Sequence, residues 1–294
     1  MTDATNIAQV IAPHFLGARV DAVTPLTGGV SADVMRIDLR AADGAPQSIV
    51  LRVHGTTHSG HDAAFEYELL QALYRAGVPV PKPLFVDASG HHVPHPCLAM
   101  AFVEGTTEIA PAQMDHSIDA MAAMLFSIHQ TPTAPLPDLP KRIDPIPELF
   151  DFLPTDQDWR SLRHHLAGLK RTAYGGTPVL LHGDFWPENL IWQAGHIKAV
   201  LDWEDAALGD PLSDVACTGL ELRYVFGKTG ADRFQHVYSR QVDVDPKRLA
   251  LWQIYVAAAA QKYMGEWRLD PAREAHMRSV ALQTIREAGT VLMS

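Results

Sequence analysis

The chain has 294 residues, 47% of them hydrophobic and 20% charged, and a formal net charge of -10. This length suits two lobes better than one simple domain, and the apolar share, without a long block of like charge, excludes wholesale disorder. The negative charge argues against a generic nucleic-acid binder, and two cysteines outside any CxxC pair, Cys97 and Cys217, give no disulfide framework.

The N-terminal stretch MTDATNIAQVIAPHF lacks the basic start and continuous apolar run of a signal peptide. Its Ile7, Val10, Ile11 and Phe15 fall at helical spacing and predict a short amphipathic helix. No apolar run is long enough to span a bilayer, so the expectation is a soluble, cytoplasmic protein. Residues 19 to 53 read as three strands. ARVDAVTPL leads to a Gly-Gly turn, DVMRIDLR alternates with Met35, Ile37 and Leu39 on one face, and QSIVLRV follows the turn AADGAP as a more buried strand. HDAAFEYELLQALYRAG is a helix with Phe65, Leu69, Leu70 and Leu73 along one face and Gly77 as its stop. PLFVDA and CLAMAFV are two more strands around a His/Gly/Pro loop.

After Gly105 the pattern becomes helical, beginning with residues 112–130 through Ile118, Met121, Leu125 and Ile128. TPTAPLPDLPKRIDPIP reads as an extended connector, DWRSLRHHLAGLKRTA as a helix, and the chain from Ser213 onward as mostly helix. The expected division is a β-rich lobe over residues 1–104 and a larger, mainly helical lobe over 105–294.

One stretch carries chemistry. LLHGDFWPENLIW sets Asp184 and Asn189 between apolar ends, the spacing of a kinase-type catalytic loop. An aspartate there accepts a hydrogen bond from a substrate hydroxyl, and an asparagine carbonyl ligates magnesium, a hard cation that prefers oxygen. Asp202 follows the apolar run Ala199-Val200-Leu201, and a hairpin turning at QAGH would return it beside Asn189 to share the metal. The competing reading, that these residues merely cap turns, accounts for either motif alone but less well for both in this order.

HGDFWPEN followed by LDWEDAALGDPLSD resembles the aminoglycoside phosphotransferase family, a branch of the protein-kinase-like fold. The resemblance runs from the Gly-Gly turn to the helices after residue 213. It implies an α+β, bilobal fold with a small antiparallel sheet carrying one inserted helix, an active site in the cleft between lobes, and magnesium-dependent transfer of a phosphoryl group from ATP, or GTP, to a hydroxyl of a small molecule. It makes Asp184 the catalytic base, Asn189 and Asp202 the magnesium ligands, His182 a support for the loop, and Asp214 a brace of the catalytic lobe.

In the first lobe LTGGVSADVMRI offers Gly28, Gly29 and Ser31 as a flexible turn over the triphosphate. Arg52 stands where the family often has lysine to hold the α- and β-phosphates. Glu66 matches the helix carboxylate that orients that cation, and Glu68, two residues on, faces elsewhere. LAMAFVEG resembles the strand that joins the lobes, which makes Met100, Ala101 and Val103 the candidate adenine contacts. Two histidine clusters, His54/His58/His61 and His91/His92/His95, read as solvated loop residues; Glu204, Asp205, Glu221 and Glu266 could meet a cationic aminoglycoside, and read by default as surface acids. The alternatives are a kinase-shaped nucleotide-binding protein without transferase activity, and a metal-dependent hydrolase built on His182 and Asp184. A protein kinase is disfavoured by the short WEDAALGDP after Asp202. Aminoglycoside, macrolide, choline-like and sugar acceptors all remain open.

Overall fold

The computed structural model of the chain describes residues 4–26, 32–55 and 60–294. It resolves into two compact units. The first comprises Met1–Thr106 with Ala134–Pro137 and Lys198–Asp205, and the second comprises Thr107–Thr133, Asp138–Ile197 and Ala206–Ser294. The first unit thus takes in two segments from beyond residue 104.

In the first unit the order is α1 (Ala4–Ile11), β1 (Arg19–Pro25), β2 (Ala32–Arg40), β3 (Pro46–His54), α2 (Ala63–Arg75), β4 (Pro83–Asp87) and β5 (Cys97–Ala101). The five strands form one antiparallel sheet in the order β1-β2-β3-β5-β4. Strand alternation decides what each face carries. Met35, Ile37 and Leu39 of β2 and Ile49, Leu51 and Val53 of β3 join Ile7, Val10 and Ile11 of α1 in one buried cluster. The intervening β3 residues Arg52 and His54 take the opposite face, where they meet Glu66 of α2. Asp62 starts α2 by accepting the Phe65 N–H at 2.8 Å. Gly77, at φ +82, supplies the left-handed step just beyond its end.

The second unit follows with α3 (Met114–His129), β6 (Lys141–Arg142), α4 (Ile146–Phe152), α5 (Arg160–Gly168), β7 (Val179–Leu181), β8 (Leu190–Gln193), β9 (His196–Val200), β10 (Ala207–Gly209), α6 (Pro211–Ser239), α7 (Pro246–Tyr263) and α8 (Pro271–Met293). The chain passes from the second unit to the first inside β9. Each of the last three helices opens on Asp-Pro: Asp210, Asp245 and Asp270 cap α6, α7 and α8 through side-chain bonds to backbone N–H groups, with proline next. Their apolar faces, with α4 and α5, bury a cluster that includes Leu149, Leu162, Leu220, Ile254, Met264 and Ile285.

Two expectations are corrected here. The proline-rich connector is not extended throughout: Lys141–Arg142 is extended and pairs in parallel with β10, but α4 begins at Ile146. Asp144 accepts the Ile146 N–H at 3.0 Å and Pro145 presets the helical φ, which together nucleate a turn inside a segment that composition marks as non-helical. The helix expected over 158–173 stops at Gly168, after which Leu169 is extended.

The three-stranded sheet β6-β10-β7 closes tightly at Gly209. A Cβ there would overlap the Arg142 carbonyl oxygen, so only glycine lets the strands approach. Gly209→Ala should therefore lower stability by about 1–3 kcal/mol, the usual cost of forcing atoms into a packed site. Thermal unfolding of the two proteins checks this, and an unchanged midpoint would show that the β6–β10 contact yields freely.

Candidate active site

In the second unit the stretch holding Asp184 and Asn189 is fixed by buried side chains: Leu180 and Leu181 before it, Phe185 within it, and Leu190 and Trp192 after it. Pro187–Asn189 forms a single 3-10 turn, which folds Asn189 back on the loop. Its Nδ2 donates to the Asp184 carbonyl at 2.9 Å and to Asp184 Oδ2 at 3.1 Å. The structure therefore brings these two residues together. Both remain partly accessible, whereas their anchors are buried.

The loop backbone is held by one carboxylate. Asp214, in the first turn of α6, accepts the His182 N–H at 2.7 Å on Oδ2 and the Gly183 N–H at 3.0 Å on Oδ1. His182 in turn accepts the Asp184 N–H on Nδ1 at 3.2 Å. Gly183 sits at φ +89, a conformation that glycine adopts without strain. Behind Asp214 lies His129, whose Nε2 is 3.2 Å from Oδ2 and whose Nδ1 is 2.7 Å from the Tyr238 hydroxyl. Burial works against the Asp214 charge, but the His129 bond and the His182 N–H outweigh it and hold the carboxyl below its ordinary range.

Cys217, one turn along α6, points its Sγ at the Gly183 carbonyl, and burial pushes its thiol well up. Glu221 is half-buried rather than a surface acid. Burial and then the Asp184 charge push its carboxyl up to about 8, with Arg273 opposing and Glu188 adding to the rise. The Tyr224 hydroxyl is buried with no partner among the described residues. The spacing of 217, 221 and 224 puts these three on one face of α6.

In the first unit Arg52 is the centre. Nη1 donates to Glu66 Oε1 at 2.9 Å and to Asp202 Oδ1 at 2.8 Å, and Nη2 donates to Glu204. The Arg52 and Glu66 side chains are 8% and 2% exposed. Burial alone would weaken the guanidinium charge, but Glu66, Asp202 and Glu204 more than restore it and raise its pKa. Asp202 sits at φ +61, an uncommon conformation for a non-glycine residue and one that needs support from its surroundings. Glu68 is exposed, as helical geometry requires once Glu66 faces inward.

Met100 and Ala101 end β5, paired to β3 and β4, and the Ala101 N–H donates to the Lys82 carbonyl at 2.8 Å. Val103 lies just beyond, half-exposed. Gly28, Gly29 and Ser31 lie outside the described residues, as does His58. His54 is not a solvated loop residue: it ends β3, is buried, and its Nε2 is 3.1 Å from Glu66 Oε2. Glu204 is likewise not a surface acid, because it pairs with Arg52, whereas Asp205 and Glu266 are exposed. His129 and Tyr238 escaped sequence reasoning, and Glu204 reads there as a surface acid. His129 follows Leu125 and Ile128 on the α3 face and carried that signal, but Tyr238 carried none.

Over residues 22–252 the chain matches the model of the phosphotransferase enzyme family, APH, and belongs to that family. It is 26% identical over 216 residues to the aminoglycoside 3'-phosphotransferase of Streptomyces fradiae, covering 67% of this chain and 80% of that one. It is 29% identical over 188 residues to acyl-CoA dehydrogenase family member 10 of Mus musculus; the match covers 54% of this chain and only 16% of that relative. Among solved structures, aminoglycoside phosphotransferase APH(4)-Ia in complex with AMP-PNP and hygromycin B aligns with TM-score 0.66 at 15% identity, over 96% of this chain and 98% of that one. A choline/ethanolamine kinase family protein from Mesorhizobium loti aligns with TM-score 0.62 at 15% identity, over 100% and 95%. At these identities the likeness shows the fold, which is the α+β protein-kinase-like one expected.

Because Asp214 has a depressed pKa in the folded state, its stabilising contribution is present above about pH 4, near the usual carboxylate value, and is lost as pH falls through the lower folded value. Wild type should therefore lose thermal stability on acidification more steeply than Asp214→Asn, which should start lower and change less. Unfolding midpoints measured from pH 7 to pH 3 check this, and parallel curves would remove the charge of Asp214 from the account.

Proposed function

We propose that the chain moves the γ-phosphoryl group of ATP, or GTP, to a hydroxyl of a small molecule. The observation that carries this reading is the Asp184–Asn189 pair, held by bonds at 2.9 and 3.1 Å on a loop whose backbone is fixed by Asp214. Asp184 accepts the hydrogen bond of the acceptor hydroxyl and aims its oxygen at the γ-phosphorus. The new bond forms in line as the bond to the β–γ bridging oxygen breaks, and the hydroxyl proton passes to the Asp184 carboxylate. No covalent enzyme intermediate is required; positioning and charge neutralisation provide the acceleration.

Arg52, backed by Glu66, serves the nucleotide phosphates, with the backbone of Met100, Ala101 and Val103 facing adenine. Magnesium is tested by the donor set. Nδ2 of Asn189 is committed to Asp184, which leaves its amide oxygen to face a cation, and Asp202 brings a carboxylate. Magnesium prefers oxygen donors and keeps much of its own hydration, so an asparagine oxygen and an aspartate carboxylate are chemically suitable ligands. Asn189 and Asp202 would hold it, and when bound it neutralises charge developing on the phosphate oxygens. His182 supports the loop rather than ligating: its Nδ1 already accepts the Asp184 N–H, which argues against the hydrolase alternative. Glu221, whose carboxyl feels the Asp184 charge, is the group of α6 assigned here to meet the acceptor. The acceptor belongs to the broad class of hydroxylated small molecules.

Asp184→Ala should reduce nucleotide-consuming turnover about 10²–10⁴-fold while nucleotide binding survives. A screen of hydroxylated metabolites and antibiotics, scored by turnover above the substrate-free background, supplies the assay; equal turnover in the variant would remove Asp184 from its role. Asp202→Asn should weaken nucleotide binding in magnesium and have less effect without it. Titrations in both conditions test this, and a loss independent of the metal would count against Asp202 as a ligand.

A further inference from the structure

A lysine ammonium is a compact point charge, whereas a guanidinium presents two terminal nitrogens on a rigid fork. Arg52 divides them: Nη1 serves Glu66 and Asp202, and Nη2 serves Glu204. The partners are graded in exposure, with the side chain of Glu66 at 2%, Glu204 at 15% and Asp202 at 27%. Glu66 is thus the interior partner, and Asp202 and Glu204 are the ones that an anion arriving from solvent meets. Glu204 is also held from its backbone. The His61 N–H donates to its carbonyl at 3.0 Å, and a Cβ on Gly60 would come within 2.6 Å of Glu204 Cβ, so the chain leading to α2 is packed against it.

We propose that Glu204 sets the nucleotide affinity of this protein: its carboxylate occupies Nη2 of Arg52 in the nucleotide-free state, and a phosphate oxygen of the nucleotide takes its place. The inference rests on the reading of Arg52 as the phosphate-binding cation. It involves no bond making, only the exchange of one anionic acceptor for another on the same donor. An intramolecular carboxylate competes at high effective concentration. It also repels the incoming phosphate across a short, partly dehydrated gap. This gives a role to arginine in place of lysine: one nitrogen keeps the internal pairs while the other exchanges.

The test is a calorimetric titration of AMP-PNP into the full chain, once with EDTA and once with magnesium, for wild type, Glu204→Gln and Arg52→Met. Glutamine keeps the shape and a hydrogen bond but loses the charge-assisted strength, so Glu204→Gln should bind about 3- to 10-fold more tightly in both conditions. Arg52→Met should bind at least about tenfold more weakly. Unchanged or weaker binding of Glu204→Gln in EDTA overturns the proposal even if Arg52→Met binds poorly. Weaker binding only in magnesium also overturns it, because Glu204 would then support the metal. Arg52→Met binding like wild type defeats the underlying assignment of Arg52 instead. Circular dichroism confirms folding of each protein, and Glu204→Ala and Arg52→Gln stand in, with the same expected directions, for a variant that unfolds.

Discussion

A guanidinium held out of water is tolerable only where carboxylates meet it, and in the first unit that condition organises three separate stretches of chain around Arg52. Strand β3 brings the cation, α2 brings Glu66, and the segment 198–205 brings Asp202 and Glu204. Removing one partner of such a buried pair costs about 3–5 kcal/mol, because the charge left behind cannot be rehydrated. A constraint of that size can hold Asp202 in its left-handed backbone conformation, which costs about 1–3 kcal/mol by itself. Among the described residues the cluster sets one guanidinium against three carboxylates.

The second unit solves its positioning problem with the charges reversed. Asp214 is a buried anion, and its partners are mostly backbone N–H groups of the loop it holds. A carboxylate that accepts two main-chain bonds fixes the path of the chain itself, so Asp184 inherits its place from the backbone as well as from the buried anchors at the ends of the loop. His129 and Tyr238 extend the arrangement inward from α3 and the far end of α6. The two ends of α6 thereby take part in one hydrogen-bonded group, although Gly227 interrupts the helical conformation between them.

How much of this could be read beforehand follows from the range of each interaction. The alternation of Met35, Ile37 and Leu39, the inward turn of Glu66 against Glu68, and the Asp184–Asn189 spacing are local, and periodicity or spacing exposes them directly. The resemblance to phosphotransferases was legible for the same reason, since HGDFWPEN and LDWEDAALGDP are short contiguous strings. Glu204 was misjudged because its partner lies 152 positions away and its own neighbours, Trp203 and Asp205, give no hint of which way it faces. Glu221 was misjudged because burial beside another carboxylate is a tertiary fact. His54 looked like part of a loop because glycine and threonines follow it, yet it is the final residue of β3. In the proline-rich stretch composition was misleading, because a single Asp144 side chain could start α4 within it.

The alternation of β3 has one more consequence. Its odd-numbered residues Ile49, Leu51 and Val53 face the apolar cluster beneath the sheet, and Arg52 faces away from it. Side chains in a strand swap faces with every single-residue shift of register. Gain or loss of one residue within this strand would carry the guanidinium into hydrocarbon and present a leucine or valine to three carboxylates. Over evolutionary time the strand can therefore exchange one aliphatic residue for another with little penalty, while its length is effectively frozen.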